Sequence, residues 1–251
     1  MKKIFVTTFN KKLFDKYAYK LIDTYLATKQ KIPLYCYVED DVNLYPKVKN
    51  IIFINLYESQ PESKKFVERN LIKNQKNAKL FLLDVVRFSY KVFAQSDARK
   101  YGDYIFFIDA DTYFIKTIPE EWFDKCLPKQ IFISFYERLG FYTEAGFLGF
   151  NNKILTNKGV KLIDLFFEVY LSYYTKDLIY SLPAFTDCHA LDATRYRFIF
   201  LKPYIQEYKF YNEKKLGDNL LYLMKNETDI MGNDKFTSEY FIHCKGAKKF
   251  N

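Results

Sequence analysis

Apolar residues along the chain follow two rhythms. Short unbroken runs alternate with longer stretches in which every third or fourth residue is apolar. "KIFVTTF" near the N-terminus reads as a strand. Beyond it, Phe14, Tyr17, Ala18, Leu21, Ile22 and Tyr25 sit at i, i+3, i+4 and i+7 spacing, which puts one apolar face on a helix. "IPLYCYV" reads as a second strand leaving through Glu39-Asp40-Asp41, and "VKNIIFINL" as a third. The stretch from Glu58 to Lys79 is polar and weakly patterned. "LFLLDVVRFSYKVFAQ" reads as a largely buried helix and "YIFFID" as a strand. Strands separated by helices predict a parallel sheet with helices on its faces. Continuous apolar runs fit strands buried on both sides.

The second half is more mixed. "IFISFY" and "AGFLGFN" read as strands, "KLIDLFFEVYLSYY" as an aromatic-rich helix, and "FTDCHALDATR" as a short helix capped by Thr186 or Asp187. The tail ends "EYFIHCKGAKKFN". The expected fold is α/β: a mostly parallel central sheet flanked by helices, with a smaller mixed C-terminal part. In such sheets ligands bind beyond the carboxyl ends of the strands. Three strand ends are polar: Thr7-Thr8-Phe9-Asn10, Glu39-Asp40-Asp41 and Asp109-Ala110-Asp111. Parallel strands place all three on one edge.

The 251 residues suffice for one large domain with a core, and 49% hydrophobic with 20% aromatic residues argues against disorder. No run reaches the roughly 18 apolar residues of a membrane helix. "MKKIFVTTFN" is broken by two threonines and an asparagine, so it reads as a first strand and not a signal peptide. A cytoplasmic protein is the default expectation. Cys36, Cys126, Cys188 and Cys244 form no CxxC pair and read as free thiols. The net charge of +9 comes from 39 basic residues, of which only six are arginine. Abundant Lys, Asn, Ile, Phe and Tyr match the usage of an AT-rich genome. The charge also suits an anionic partner such as nucleotide phosphate, nucleic acid or acidic glycan.

The candidate chemistry lies at the end of "YIFFIDADTYF". Residues i and i+2 of a strand point to one side, so Asp109 and Asp111 can converge. Two convergent carboxylates at the mouth of a buried strand suit a divalent cation with oxygen ligands, which in turn carries a phosphorylated substrate. A solvated strand exit is the plainer reading. Arg87 is a charged residue inside an apolar helix and needs a partner, with Asp84 in reach three residues before it.

"FFIDADTYFIKTIP" resembles the metal motif region of the GT-A glycosyltransferases, and the element order is similar over most of the chain. The tail His243-x-x-Gly246-x-x-Lys249 is similar to the signature of their retaining, glycogenin-like branch, which also holds bacterial galactosyltransferase-like enzymes. Phe250 and Asn251 replace the Pro-Trp that usually follows. The resemblance implies that Asp109, Asp111 and His243 hold manganese or magnesium, while Gly246 and Lys249 meet a diphosphate. "TDCHALD" resembles the branch's D-Q-D-A-L-N segment, which makes Asp187 the sugar contact; Cys188, His189 and Asp192 depart from it. Thr7, Thr8, Phe9 and Glu39 would meet the base and ribose. Arg87 and Ala110 would lie by the nucleotide. "TEAGFLGFN" resembles the acceptor-side segment, with Glu144 as acceptor contact or base. Residues from about 1 to 115 would then form the nucleotide-sugar half of a single domain. Those from about 116 to 251 would form the acceptor half.

The implied activity is transfer of a sugar, hexose or pentose, from a nucleotide-diphosphate sugar (UDP-sugar favoured) to an acceptor hydroxyl, with retention. The acceptor could be a glycan or a polyanion such as modified DNA. A nucleotidyltransferase shares the apolar-D-x-D pattern but wants an upstream Gly-Ser phosphate turn and a third carboxylate. A haloacid-dehalogenase-type phosphatase wants Thr or Val where Tyr113 stands. A basic nucleic-acid-binding domain would fit the charge, although the chain carries no recognised binding motif.

Overall fold

The structure, a computed structural model, describes residues 1–77, 80–136, 142–156, 158–200 and 239–244. In chain order, β1 (Lys3–Thr8) is followed by α1 (Lys11–Leu13), a π-helical turn over Phe14–Ala18 and α2 (Tyr19–Ala27). β2 (Leu34–Val38) and β3 (Ile51–Asn55) lead to α3 (Leu56–Ser59), α4 (Pro61–Asn77) and α5 (Val85–Ala98). Next come β4 (Tyr104–Ile108), β5 (Thr112–Phe114), α6 (Glu120–Cys126), β6 (Ile133–Tyr136) and β7 (Glu144–Asn151). α7 (Leu162–Thr175), α8 (Asp187–Phe200) and β8 (Phe241–His243) complete the described strands and α-helices, beside short 3-10 turns at Val42–Leu44, Phe81–Leu83 and Leu178–Ser181.

Six strands form the central sheet in the order β3-β2-β1-β4-β7-β6. β1 to β4 are parallel, β7 runs against β4, and β6 runs against β7. β2, β4 and β7 are buried along their whole length, as their unbroken apolar runs demand. The chain steps from β1 outward through β2 to β3, then returns to lay β4 on the other side of β1. That reversal opens a crevice at the carboxyl ends of β1 and β4, where open α/β sheets bind ligands.

Three sequence expectations shift. The weakly patterned stretch contains α4. Its buried side is Ser63, Phe66, Asn70 and Asn74, at helical spacing but mostly polar, so the apolar pattern hides the helix. α5 starts only at Val85, because the Asp84 carboxylate caps it by accepting from the Arg87 N–H at 3.2 Å. α8 runs 14 residues and so is longer than the short helix expected.

β5 and β8 form a separate antiparallel pair with Thr112 opposite His243. Phe241 anchors this pair to the main sheet. Its ring centroid lies 5.2 Å from Phe114, 5.7 Å from Trp122 and 6.2 Å from Phe5 of β1. Burying such a ring contributes about 1.5–3 kcal/mol. The same contact fixes His243, two residues further on.

Candidate active site

β4 ends at Ile108, and strand alternation does not continue through the acids. The Asp109 N–H donates to Gly146 O at 2.9 Å, and the Thr112 N–H then closes a turn onto Asp109 O at 3.1 Å. The turn, not a prolonged strand, brings Asp109 and Asp111 together. Ala110 between them is 8% exposed. The Cys244 N–H donates to Asp111 O at 2.9 Å, which extends the β5–β8 pairing up to the acids. Along β8, Phe241 and His243 point inward and Ile242 outward. His243 Nε2 therefore lies 3.2 Å from Asp111 Oδ1 and 3.6 Å from Asp109 Oδ2. One ligand atom from each of the three residues falls within 4.8 Å of the others.

Both ring nitrogens of His243 are buried without a hydrogen-bond partner among the described residues. A buried polar atom in that state costs free energy unless something else meets it. Two carboxylates and an imidazole nitrogen are a donor set for a manganese- or magnesium-like ion. These residues fit such a metal.

Lys91 approaches from α5. Its Nζ lies 2.6 Å from Asp109 Oδ1 and 3.3 Å from Asp187 Oδ2 on the first turn of α8. Burial alone would lower the Lys91 pKa, but the charges of Asp109 and Asp187 outweigh it and hold the group well above its usual value. Thr186 caps α8 by accepting from the His189 N–H at 3.3 Å, which leaves the Asp187 carboxylate free to face Lys91. The Tyr170 hydroxyl donates to Asp187 O at 3.1 Å and ties that turn to α7.

Gly146 is required by close approach. A Cβ there would stand 2.9 Å from Glu144 Oε1, 2.9 Å from His243 Cε1 and 3.1 Å from Asp109 Oδ2. Glu144 is 4% exposed, and its Oε1 accepts from the Gly146 N–H at 2.9 Å. It is a buried strand residue beside the acids and not an exposed loop carboxylate.

The nucleotide candidates lie on the same edge. Thr7 Oγ1 and Thr8 Oγ1 are buried at the end of β1 with no partner among the described residues. Glu39 Oε2 accepts from Asn10 Nδ2 at 3.2 Å. Burial, aided by the charge of Asp40, pushes the Glu39 carboxyl up to about 7 despite that hydrogen bond. Phe9 is 1% exposed and packs on Phe14, Tyr45 and Phe53, so its ring belongs to the core and offers no face to a base. Tyr17, on the π-helical turn, has its hydroxyl pKa raised by burial and then by the charges of Asp111 and Asp109.

No protein-family model and no curated protein matches the chain. Solved structures do. One is the apo crystal structure of mouse xyloside xylosyltransferase 1, with a TM-score of 0.52 and 10% identity, over 100% of this chain and 99% of that one. The shared architecture is a mostly parallel sheet flanked by helices, consistent with a GT-A glycosyltransferase fold.

Within that fold the remaining candidates divide. Arg87 is 53% exposed, pairs with Asp84 at 3.1 Å and lies over the Phe81 ring. Among the described residues, a cation that does reach the acids is Lys91, one turn later on the same helix. The i, i+4 step from Arg87 was the signal for it. Gly246 and Lys249 lie outside the described residues. Cys188, half-buried beside Asp187, has its thiol pKa pushed up by desolvation and by that carboxylate. Among the described residues no helix is long and apolar enough to cross a membrane.

Proposed function

We propose that the chain is a metal-dependent glycosyltransferase. It would move a sugar from a nucleotide-diphosphate sugar, UDP-sugar favoured, to an acceptor hydroxyl with retention of configuration. The observation that carries this reading is the meeting of Asp109, Asp111 and His243 at the switch-point end of a GT-A-like sheet. The likeness to a xylosyltransferase supports sugar transfer and keeps pentosyl beside hexosyl transfer.

Asp109, Asp111 and His243 would hold Mn²⁺ or Mg²⁺, and a bound ion there supplies positive charge for a leaving diphosphate. Burial raises the Asp187 carboxyl's pKa and the Lys91 charge opposes that rise while holding the group in place, so that the carboxylate would accept from the donor sugar's hydroxyls. The orphaned hydroxyls of Thr7 and Thr8 and the Glu39 carboxylate offer partners to ribose and base. Glu144 holds the Gly146 backbone against the acids on the acceptor side. Gly246 and Lys249 would complete the diphosphate site, a role that rests on the tail resemblance.

The test is a donor screen. Incubation with UDP-, GDP- and other nucleotide sugars plus Mn²⁺ should release free nucleotide from at least one donor, and EDTA or Asp111→Ala should stop the release. No release from any donor, or pyrophosphate released from a nucleoside triphosphate instead, would contradict the reading. Steep loss of transfer with rising salt would place a polyanion such as DNA among the acceptors.

A further inference from the structure

His243 and Thr112 stand opposite each other across the β5–β8 pair, and each buries a polar atom that nothing meets. Thr112 is 0% exposed and His243 3%. Among the described residues neither Thr112 Oγ1 nor His243 Nδ1 has a hydrogen-bond partner. The ring nitrogen turned to the acids is Nε2, 3.2 Å from Asp111 Oδ1, so the cluster leaves Nδ1 without a task.

The ladder fixes how near the two side chains stand. The Cys244 N–H donates to Asp111 O at 2.9 Å, and the Ile115 N–H to Tyr240 O at 2.9 Å. Hydrogen-bonded and non-hydrogen-bonded pairs alternate along an antiparallel ladder, so Thr112 and His243 form a non-hydrogen-bonded pair. Side chains are closest in such pairs, with Cβ atoms about 4.5–5.5 Å apart. Both side chains lie on the inward face of the pair, while Ile242 between His243 and Phe241 is exposed. At that range a hydroxyl reaches an imidazole nitrogen directly or through one water.

Packing does not account for the Thr112 hydroxyl. Thr112 shares its inward face with Phe114 and Phe241, where a valine of the same shape would bury no unmet oxygen. Its backbone has a task, since the Thr112 N–H closes the turn onto Asp109 O at 3.1 Å. Its side chain has none within the fold.

We propose that Thr112 is a positioning residue of the metal site: its Oγ1 accepts from the His243 Nδ1–H and so holds Nε2 unprotonated and aimed at the acids. Ligation through Nε2 requires the ring proton on Nδ1, and Thr112 Oγ1 is the acceptor opposite it. A metal-ligating histidine ordinarily donates from its other nitrogen, and that bond sets the tautomer and the ring's orientation. Thr112 acts only through His243. The inference rests on the reading of Asp109, Asp111 and His243 as a metal site.

The experiment titrates the full chain with Mn²⁺, read by electron paramagnetic resonance. Thr112→Val keeps the side chain's shape and the N–H of the turn, and should weaken Mn²⁺ binding about 10-fold. Thr112→Ser returns the hydroxyl and should bind as wild type does. The melting temperature of Thr112→Val without metal should not fall, because the variant removes a buried hydroxyl that has no partner. A hydroxyl that merely supported the fold would lower it. NMR of the nitrogen-labelled, Mg²⁺-loaded chain should show a slowly exchanging proton on His243 Nδ1 in wild type and lose it in Thr112→Val. Should Thr112→Val fail to fold, Thr112→Ala against Thr112→Ser makes the same comparison. The proposal is overturned if removing the hydroxyl leaves Mn²⁺ affinity unchanged, if Thr112→Ser binds as weakly as the variants without a hydroxyl, or if the loaded wild type carries its proton on Nε2. Absence of Mn²⁺ binding by wild type is a different outcome and contradicts the metal site itself.

Discussion

β2 and β4 flank β1, and both leave the sheet through carboxylates, yet the two exits are used differently. After β2 the acids disperse. Asp40 accepts from the Lys11 N–H and from the Tyr45 hydroxyl, the latter at 2.9 Å. Asp41 caps a short 3-10 turn by accepting from the Asn43 N–H at 2.9 Å, and Glu39 turns to Asn10. After β4 the acids gather, because a turn aims both at His243 and Lys91 enters beside them. The acid count alone does not separate the two exits. A distant segment does: β8, seated by Phe241, brings in an imidazole whose ring nitrogens have no hydrogen-bond partner among the described residues.

The contrast breaks most readily at Lys91. Lys91→Met would leave the buried Asp187 and the half-buried Asp109 without a counter-charge, at an expected cost of about 3–5 kcal/mol in denaturant unfolding. Mn²⁺ should restore more stability to this variant than to wild type. A cost below about 1 kcal/mol would make the β4 exit no more demanding than an exposed ion pair.

Glu39 tests the other exit through pH. Its folded pKa of about 7 lies above its ordinary 4.5, so between those values the folded chain binds the proton more tightly than the unfolded chain does. Stability contributed by protonation is therefore present at low pH and lost as pH rises through 7. Glu39→Gln should be more stable than wild type at pH 8, by up to about 3 kcal/mol, and equal to it near pH 4. Equal melting at both pH values would show that the carboxylate is not desolvated.

Smaller effects sharpen the comparison. Gly146→Ala forces a methyl against Glu144, His243 and Asp109 and should cost about 1–3 kcal/mol while weakening Mn²⁺ binding. Unchanged metal affinity would mean that the three groups yield without moving the site. Arg87→Ala should cost less than about 1 kcal/mol and leave metal affinity alone, since its pair with Asp84 is half exposed. A large loss of nucleotide binding in that variant would return Arg87 to the site.

The apolar runs made the strands legible, and D-x-D with the tail histidine made the metal candidates legible. The route by which they meet was not. Strand alternation suggested a prolonged β4, whereas the acids converge through a turn that the Thr112 N–H closes onto Asp109 O, beside the pairing of Thr112 with His243. α4 escaped because Ser63, Asn70 and Asn74 occupy its buried side. Lys91 escaped because Arg87 drew the eye as the helix's charge, while exposure decides which of the two is bound inside. Phe9 looked like a base contact from its place at a strand end, but aromatic packing claimed its ring.

An Mn²⁺ titration read by electron paramagnetic resonance tests the account most directly, on wild type, Asp111→Ala, His243→Ala and Asp41→Ala. Wild type and Asp41→Ala should bind one ion with the same affinity, and the other two should bind about 100-fold more weakly. Full binding in Asp111→Ala and His243→Ala, or its loss in Asp41→Ala, would contradict a metal site at the β4 exit.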